Sequence, residues 1–289
     1  MMTSKKKSNQ NLNNKIEVIK YNGEKEPFSI NKVYNSALRA GASFSLAKQI
    51  SIKIENEIYP NIKTSEIFEK VKKELRNQNS QLSIKFSLKE GIRKLGPEGF
   101  LFETFIRKIL SNYCLKIREG RIISGKGSKY ELDFLAEKND KFYAGECKYR
   151  NKSNCVIDIN VCLKSFAILE DIKDNVIFKD KELYSFIVTN SRFTNEAIKY
   201  STCKGIKLLG WKYPEKRGLE KLIEEKKLYP ATILPSLHGK LIHVFEKEGI
   251  VLAKEVLDID IEKFSKTLNI SKKVLESLKK EAEILINKK

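Results

Sequence analysis

Three runs in the middle of the chain decide the fold: LKIREGRIIS (115–124), YELDFLAEK (130–138) and KFYAGECKYR (141–150). Each is short and carries alternating or continuous apolar residues, so each reads as a strand. Ahead of them FLFETFIRKILSNY (100–113) places apolar residues at helical spacing. Behind them come a helical stretch, INVCLKSFAILEDIK (159–173), and a strand, YSFIVTN (184–190). Thr194 then opens the helix TNEAIKYSTCKG (194–205), and IKLLGW (206–211) is a last short strand. The order α-β-β-β-α-β-α-β predicts an α/β domain built on a mixed sheet with helices on its faces.

The chemistry sits on two of these strands. Alternate residues of a strand share a face, so Glu146 and Lys148 point together and Cys147 points away. A structural ion pair is one reading of that spacing. Asp133, inside the otherwise apolar LDFLA, adds another, because a carboxylate there costs desolvation energy unless something compensates it. A divalent cation held by Asp133 and Glu146 across neighbouring strands would do so, and two carboxylates suit Mg²⁺ or Mn²⁺. Such an ion polarises a phosphate and lowers the pKa of a bound water, while Lys148 orients that water or stabilises developing negative charge. Two readings stay open for Glu103 on the preceding helix: an extra carboxylate near the metal, or a solvent-facing helix glutamate. Glu131 shares the face of Asp133 as a candidate outer contact. Gly125–Ser128 is either a loop that meets a phosphate or a plain turn.

GPEGFLFETFIRKIL, GKGSKYELDFLA, YAGECKY and FIVTNSRFTNEAIKYSTCKGIKLLGW, taken in order, resemble the Mrr-like restriction endonucleases of the PD-(D/E)XK nuclease superfamily. The likeness runs from about Gly96 to Trp211. It implies a restriction-endonuclease-like αβββαβ core and a site made of a helix glutamate, a strand aspartate and a Glu-x-Lys. Those positions fall on Glu103, Asp133, Glu146 and Lys148, with Asp133 and Glu146 as metal ligands. The resemblance implies a metal-dependent DNA endonuclease acting in restriction or repair. Double-strand cleavage by a single-site nuclease takes two active sites acting together, so a homo-oligomer is expected.

The front of the chain is a separate, mostly helical module. KIEVIKYNG (15–23) gives a strand and an Asn-Gly turn, and Ser29 caps the helix INKVYNSALRAGA (30–42). A second helix, SLAKQISIKIENEIY (45–59), stops before Pro60. Thr64 or Ser65 caps SEIFEKVKKEL (65–75), and QLSIKFSLKEGIRKL (81–95) reads as a fourth helix. The set Val18, Lys20, Asn22-Gly23, Glu26, Phe28-Ser29 and Lys32-Val33, followed by IKTSEIFEKV, resembles the ATP-cone, a regulatory nucleotide-binding domain. The likeness implies ATP or dATP as an allosteric effector. Lys20 and Lys32 would take its phosphates, and Val18, Glu26 and Thr64 the rest of the nucleotide. Tyr21 stands where the family often has Arg, and Phe68 where some members have His. No GxxxxGK[ST] is present, so ATP is an effector here and not a fuel.

These readings divide the chain into a flexible basic arm (1–15), the ATP-cone (16–92), the nuclease domain (96–212) and a helical C-terminal region (213–289). In the last, KEGIVLAKEVL (247–257) and IDIEKFSKTLNISKKVLESLKKEAEILI (259–286) read as helical. Asn269-Ile270-Ser271 has the look of a helix-turn-helix joint with Ser271 as N-cap. The net charge of +19 favours a polyanionic partner such as DNA. Five cysteines without a CxxC pair read as reduced thiols, and two histidines exclude a His-rich zinc site. No apolar run is long enough for a membrane span and no signal peptide leads the chain, so a cytoplasmic protein is expected. Two other functions compete with the DNA endonuclease. One is a nucleotide-sensing DNA-binding regulator without catalysis. The other is an RNA-processing nuclease.

Overall fold

The computed structural model describes residues 16–96, 100–151 and 155–287. The basic arm and residues 97–99 of the expected boundary turn lie outside them. The chain forms two compact units, one of Met1–Lys89 with Glu283–Lys289 and one of Glu90–Ala282.

The first unit opens with β1 (Glu17–Ile19), β2 (Lys25–Pro27), α1 (Ile30–Arg39) and α2 (Phe44–Glu57), followed by β3 (Ile62–Lys63), α3 (Thr64–Gln78) and α4 (Ser80–Phe86). β1 is the centre of a three-stranded sheet, antiparallel to β2 and parallel to β3. Gly23, at a φ of 84°, makes the tight turn between β1 and β2. Ser29 and Ser43 cap α1 and α2 by accepting from the Lys32 and Leu46 backbone N–H groups. α3 differs from expectation: Lys63 takes the N-cap position and no side chain caps the helix. Pairing of Lys63 with Ile19 carries the chain straight from strand to helix and leaves no room for a capping turn. The core joins Val18, Val33, Ala37, Ala47, Ile54 and Leu75. The single helix expected over 81–95 is instead α4 and α5 (Leu88–Arg93), broken at Ser87, whose hydroxyl donates to the Ser83 carbonyl. From the chain's end, the Ile284 and Leu285 carbonyls accept from Gln81 Nε2 at 2.9 and 3.2 Å.

The second unit is built on α6 (Phe100–Asn112), β4 (Lys116–Ser124), β5 (Lys129–Lys138) and β6 (Lys141–Lys148). Then follow β7 (Val156–Ile157), α7 (Ile159–Ile172), β8 (Glu182–Thr189), β9 (Arg192–Phe193), α8 (Asn195–Lys204) and β10 (Lys207–Leu209). Five strands make one sheet in the order β10-β8-β6-β5-β4. β4, β5 and β6 run antiparallel, whereas β6, β8 and β10 run parallel through the crossover helices α7 and α8. This is the mixed sheet the element order predicts. α6 inserts Phe102, Phe105, Ile106 and Ile109, all fully buried, each contributing about 1.5–3 kcal/mol of burial. Asp158 and Thr194 cap α7 and α8, and Gly205 ends α8 in the left-handed conformation.

The remaining elements of this unit are α9 (Leu219–Glu225), α10 (Lys240–Lys247), α11 (Ile261–Leu268) and most of α12 (Lys272–Ile286). KEGIVLAKEVL does not continue as an α-helix. Gly249, at a φ of 70°, terminates α10, and Ala253–Asp258 forms a 3-10 segment whose first turn Glu255 holds through the Val251 and Leu252 N–H groups. Asn269, left-handed at a φ of 52°, separates α11 from α12 at the expected joint. All five cysteines are free thiols. Among the described residues no helix is long and apolar enough to cross a membrane.

Candidate functional site

The site forms where β5 and β6 part. Their ladder ends at Phe134 opposite Gly145. One residue further, Asp133 replaces a ladder bond with its side chain: Oδ2 accepts from the Cys147 backbone N–H at 2.5 Å. Gly145 makes this register possible. A Cβ there would lie 2.3 Å from the Phe134 ring, which is fully buried and packs edge-on against Phe186. The strands are therefore locked together beside the point where they separate.

On the other face, Glu146 and Lys148 point together and form a direct ion pair, while Cys147 is buried on the opposite side. The end of β6 is pinned from β8. Thr189, fully buried, donates its hydroxyl to the Lys148 carbonyl at 2.6 Å. The Asn190 side chain brackets Arg150 by accepting from its N–H at 2.8 Å and donating to its carbonyl at 2.9 Å. Lys148 is thus carried on a strand end that three side-chain hydrogen bonds hold in place.

Glu103 comes from the first turn of α6, on the flank of its apolar stripe. Burial, then the nearby charge of Asp133, pushes its carboxyl up to about 7, with Glu146 and Glu131 adding to the effect. Burial also raises Asp133, against the opposing pull of the Cys147 N–H. Glu103 therefore stands in the field of Asp133 and Glu146. The fully solvated alternative does not describe it. Glu131 is exposed and contributes charge at a distance.

Arg107 is a member of the site that sequence reasoning missed. It is buried, its Nη1 donates to the Asp133 carbonyl at 3.2 Å, and its Nη2 donates to Thr104 Oγ1 at 2.8 Å. The same Nη1 lies 3.9 Å from Glu103 Oε2. The available signal was an arginine one helical turn after Glu103, inside the apolar FIRKIL. An isolated cation buried there needs acceptors from another element.

The donor set suits a hard divalent cation. The carboxylates of Asp133 and Glu146 are oxygen donors, and the raised carboxyls of Asp133 and Glu103 mark a place where negative charge is under-compensated. Among the described residues no three His, Cys, Asp or Glu side chains close into a full metal cage. Mg²⁺ does not need one, since it keeps several waters and binds through one or two carboxylates plus phosphate. A cleft of about 210 Å³ opens on this face between β6 and α7, with Glu146 and Lys148 on its floor.

Gly125–Ser128 is not a vacant anion loop. The Asp171 carboxylate from α7 accepts from the Gly127 N–H at 2.9 Å and the Ser128 N–H at 3.2 Å, and the Asp171 carbonyl accepts from Lys126 N–H. These bonds hold the Asp171 carboxyl below its usual range. The donors a phosphate would use are already engaged.

In the first unit, Val18, Lys20, Glu26, Lys32 and Thr64 come together around β1. Val18 is buried opposite Glu26 in register. Glu26 Oε2 accepts from Lys32 Nζ at 2.9 Å and lies 3.4 Å from Lys20 Nζ, and these contacts, Lys32 first, hold its carboxyl below the usual range. The parallel pairing of Ile19 with Lys63 sets Thr64, the first residue of α3, beside Lys20. Two lysines thus converge on one carboxylate next to a helix start, where added phosphate would meet positive charge and backbone donors.

Residues 16–88 match the ATP cone domain, and residues 229–286 match the family described as AF1548-like, C-terminal. An uncharacterized protein of Archaeoglobus fulgidus is 32% identical over 182 residues, which span 62% of this chain and 98% of the relative. The crystal structure of AF1548, a protein of unknown function, superimposes with a TM-score of 0.56 at 29% identity, covering 64% of this chain and 97% of that one. Can2 from Sulfobacillus thermosulfidooxidans, in complex with cyclic tetra-adenylate, matches with a TM-score of 0.34 at 16% identity over 71% of this chain and 64% of that one.

Proposed function

The chain belongs to the AF1548-like family with an ATP cone at its front, and we propose that it is a metal-dependent DNA endonuclease governed by ATP or dATP. The observation that carries this reading is the meeting of Asp133, Glu146 and Lys148 at the parted ends of β5 and β6, with Glu103 in their field. The strand order, with a helix before three antiparallel strands and a crossover helix after them, agrees with an αβββαβ nuclease core. So does the resemblance of residues 96–211 to Mrr-like enzymes.

A Mg²⁺ or Mn²⁺ ion held by Asp133 and Glu146 would polarise the scissile phosphate and lower the pKa of a bound water. The protein's own residues do the rest. Asp133, with Oδ2 fixed by the Cys147 N–H, would be one carboxylate ligand of the ion. Glu146 provides the second carboxylate and holds the Lys148 ammonium beside it. Lys148 stabilises negative charge on the phosphate as the water oxygen adds to phosphorus and the bond to the departing sugar oxygen breaks. The water's proton passes to solvent and the departing oxygen takes one back. Arg107 ties α6 to β5 through the Asp133 carbonyl and so holds Glu103 beside Asp133.

The ATP cone makes nucleotide the regulator. A triphosphate would take Lys20 and Lys32 from Glu26, with Val18 and Thr64 beside it. The basic balance of the chain, +19, favours a DNA backbone as substrate. The test is Asp133→Asn, which keeps shape and removes a metal ligand. Mn²⁺ binding by calorimetry and DNA cleavage should fall together, with metal-free DNA binding retained. Full cleavage by the variant would reject the site.

A further inference from the structure

α7 crosses the face of the sheet that carries Glu146 and Lys148. It is anchored by Cys162, Ser165, Leu169 and Ile172, all buried, and by a 2.5 Å hydrogen bond between the Ser165 and Ser185 hydroxyls. This leaves one flank of the helix facing the cleft. Asn160 and Lys164, four residues apart and so one above the other, line it with Glu146, Lys148, Ser165 and Ile168. Both are exposed. Without metal or substrate, the floor's two charges face each other, Lys148 pairing with Glu146. Lys164 has no carboxylate partner among the described residues. The two acids six residues away along the chain are both engaged: Asp158 caps the helix by accepting from the Asn160 N–H at 3.0 Å, and Glu170 pairs with Lys173 at 2.7 Å. The upper wall of the cleft therefore carries one ammonium without a carboxylate partner and one amide donor, a turn apart, on a helix anchored across from Lys148.

We propose that Asn160 and Lys164 form a subsite for a backbone phosphate of the nucleic-acid strand, next to the phosphate being cut. The second half of that statement rests on the nuclease reading; the binding itself does not. A single ammonium meets phosphate as a point charge, and the amide adds a directional hydrogen bond. Neither group reads base identity, so the subsite acts equally on all sequences. Lys164 is a positioning residue: it places the strand and leaves the chemistry to Lys148.

The test uses the full chain, a fluorescein-labelled DNA duplex and the variants Lys164→Ala, Lys164→Arg and Asn160→Ala. Without divalent metal, Lys164→Ala should bind the duplex about tenfold more weakly whatever its sequence, and its log–log salt slope should be smaller by about one. Lys164→Arg should restore both. With Mg²⁺, Lys164→Ala should raise KM with little change in kcat, whereas Lys148→Ala lowers kcat. Wild-type affinity and salt slope in Lys164→Ala would overturn the subsite, as would failure of the wild type to bind DNA. Binding that responds to Lys164 in a protein that cuts with neither Mg²⁺ nor Mn²⁺ would keep the subsite and remove the nuclease.

Discussion

Glu103 makes the electrostatic state of the site measurable without any substrate. Its carboxyl is raised from an ordinary 4.5 to about 7, mainly by burial and then by Asp133. The folded protein therefore keeps this proton up to about pH 7, while the unfolded chain releases it near 4.5. Between those values the native state binds more protons, so this group's contribution to stability is intact below pH 4.5 and declines as pH rises to 7. A difference of 2.5 pH units is worth about 3 kcal/mol at most. The side chain is 27% exposed, so solvent screening brings the expected figure to about 1–3 kcal/mol. Glu103→Gln removes the titration and keeps the shape. Urea unfolding followed by fluorescence of Trp211, the chain's one tryptophan, buried in the same unit, reports the difference. The variant should match the wild type at pH 4.5, then gain steadily and exceed it by that amount at pH 8. Parallel stability curves across this range would refute the argument that Glu103 is buried in the field of Asp133.

Other consequences follow from the same contacts. Gly145→Ala drives a methyl into the Phe134 ring and should cost about 1–3 kcal/mol of stability by the same fluorescence assay, with weakened Mn²⁺ binding because β5 and β6 must separate. Lys32→Ala removes one of two lysines on Glu26 and should weaken ATP binding about tenfold in calorimetry; unchanged affinity would place the nucleotide elsewhere. Asp171→Ala releases the Gly127 and Ser128 N–H groups, so their amide hydrogen exchange should accelerate while DNA affinity stays at the wild-type level.

Local pattern made most of the second unit legible. YELDFLAEK and KFYAGECKYR became β5 and β6 within a residue or two, because their short apolar runs suit a sheet with helices on both faces. FLFETFIRKILSNY became α6, with its apolar stripe fully buried. What stayed hidden depends on contacts between residues distant in sequence. The engagement of the Gly125–Ser128 loop by Asp171 spans more than forty residues, and nothing local at either end announces it. Arg107 carried a local signal, a cation inside the apolar FIRKIL, but its acceptor, a backbone carbonyl of another element, did not. KEGIVLAKEVL shows the converse failure. Its apolar spacing is helical, but a left-handed Gly249 and Glu255 bonding back to Val251 and Leu252 turn it into a short 3-10 segment.

The most direct test of the central claim is a supercoiled-plasmid assay with Mg²⁺ or Mn²⁺, with and without ATP and dATP, on the wild type and Lys148→Ala. The account predicts metal-dependent nicking or linearisation by the wild type, a change in rate on adding nucleotide, and loss of cleavage in Lys148→Ala with the fold intact. Undiminished cleavage in the variant, or none by the wild type on methylated and unmethylated plasmid alike, would contradict it.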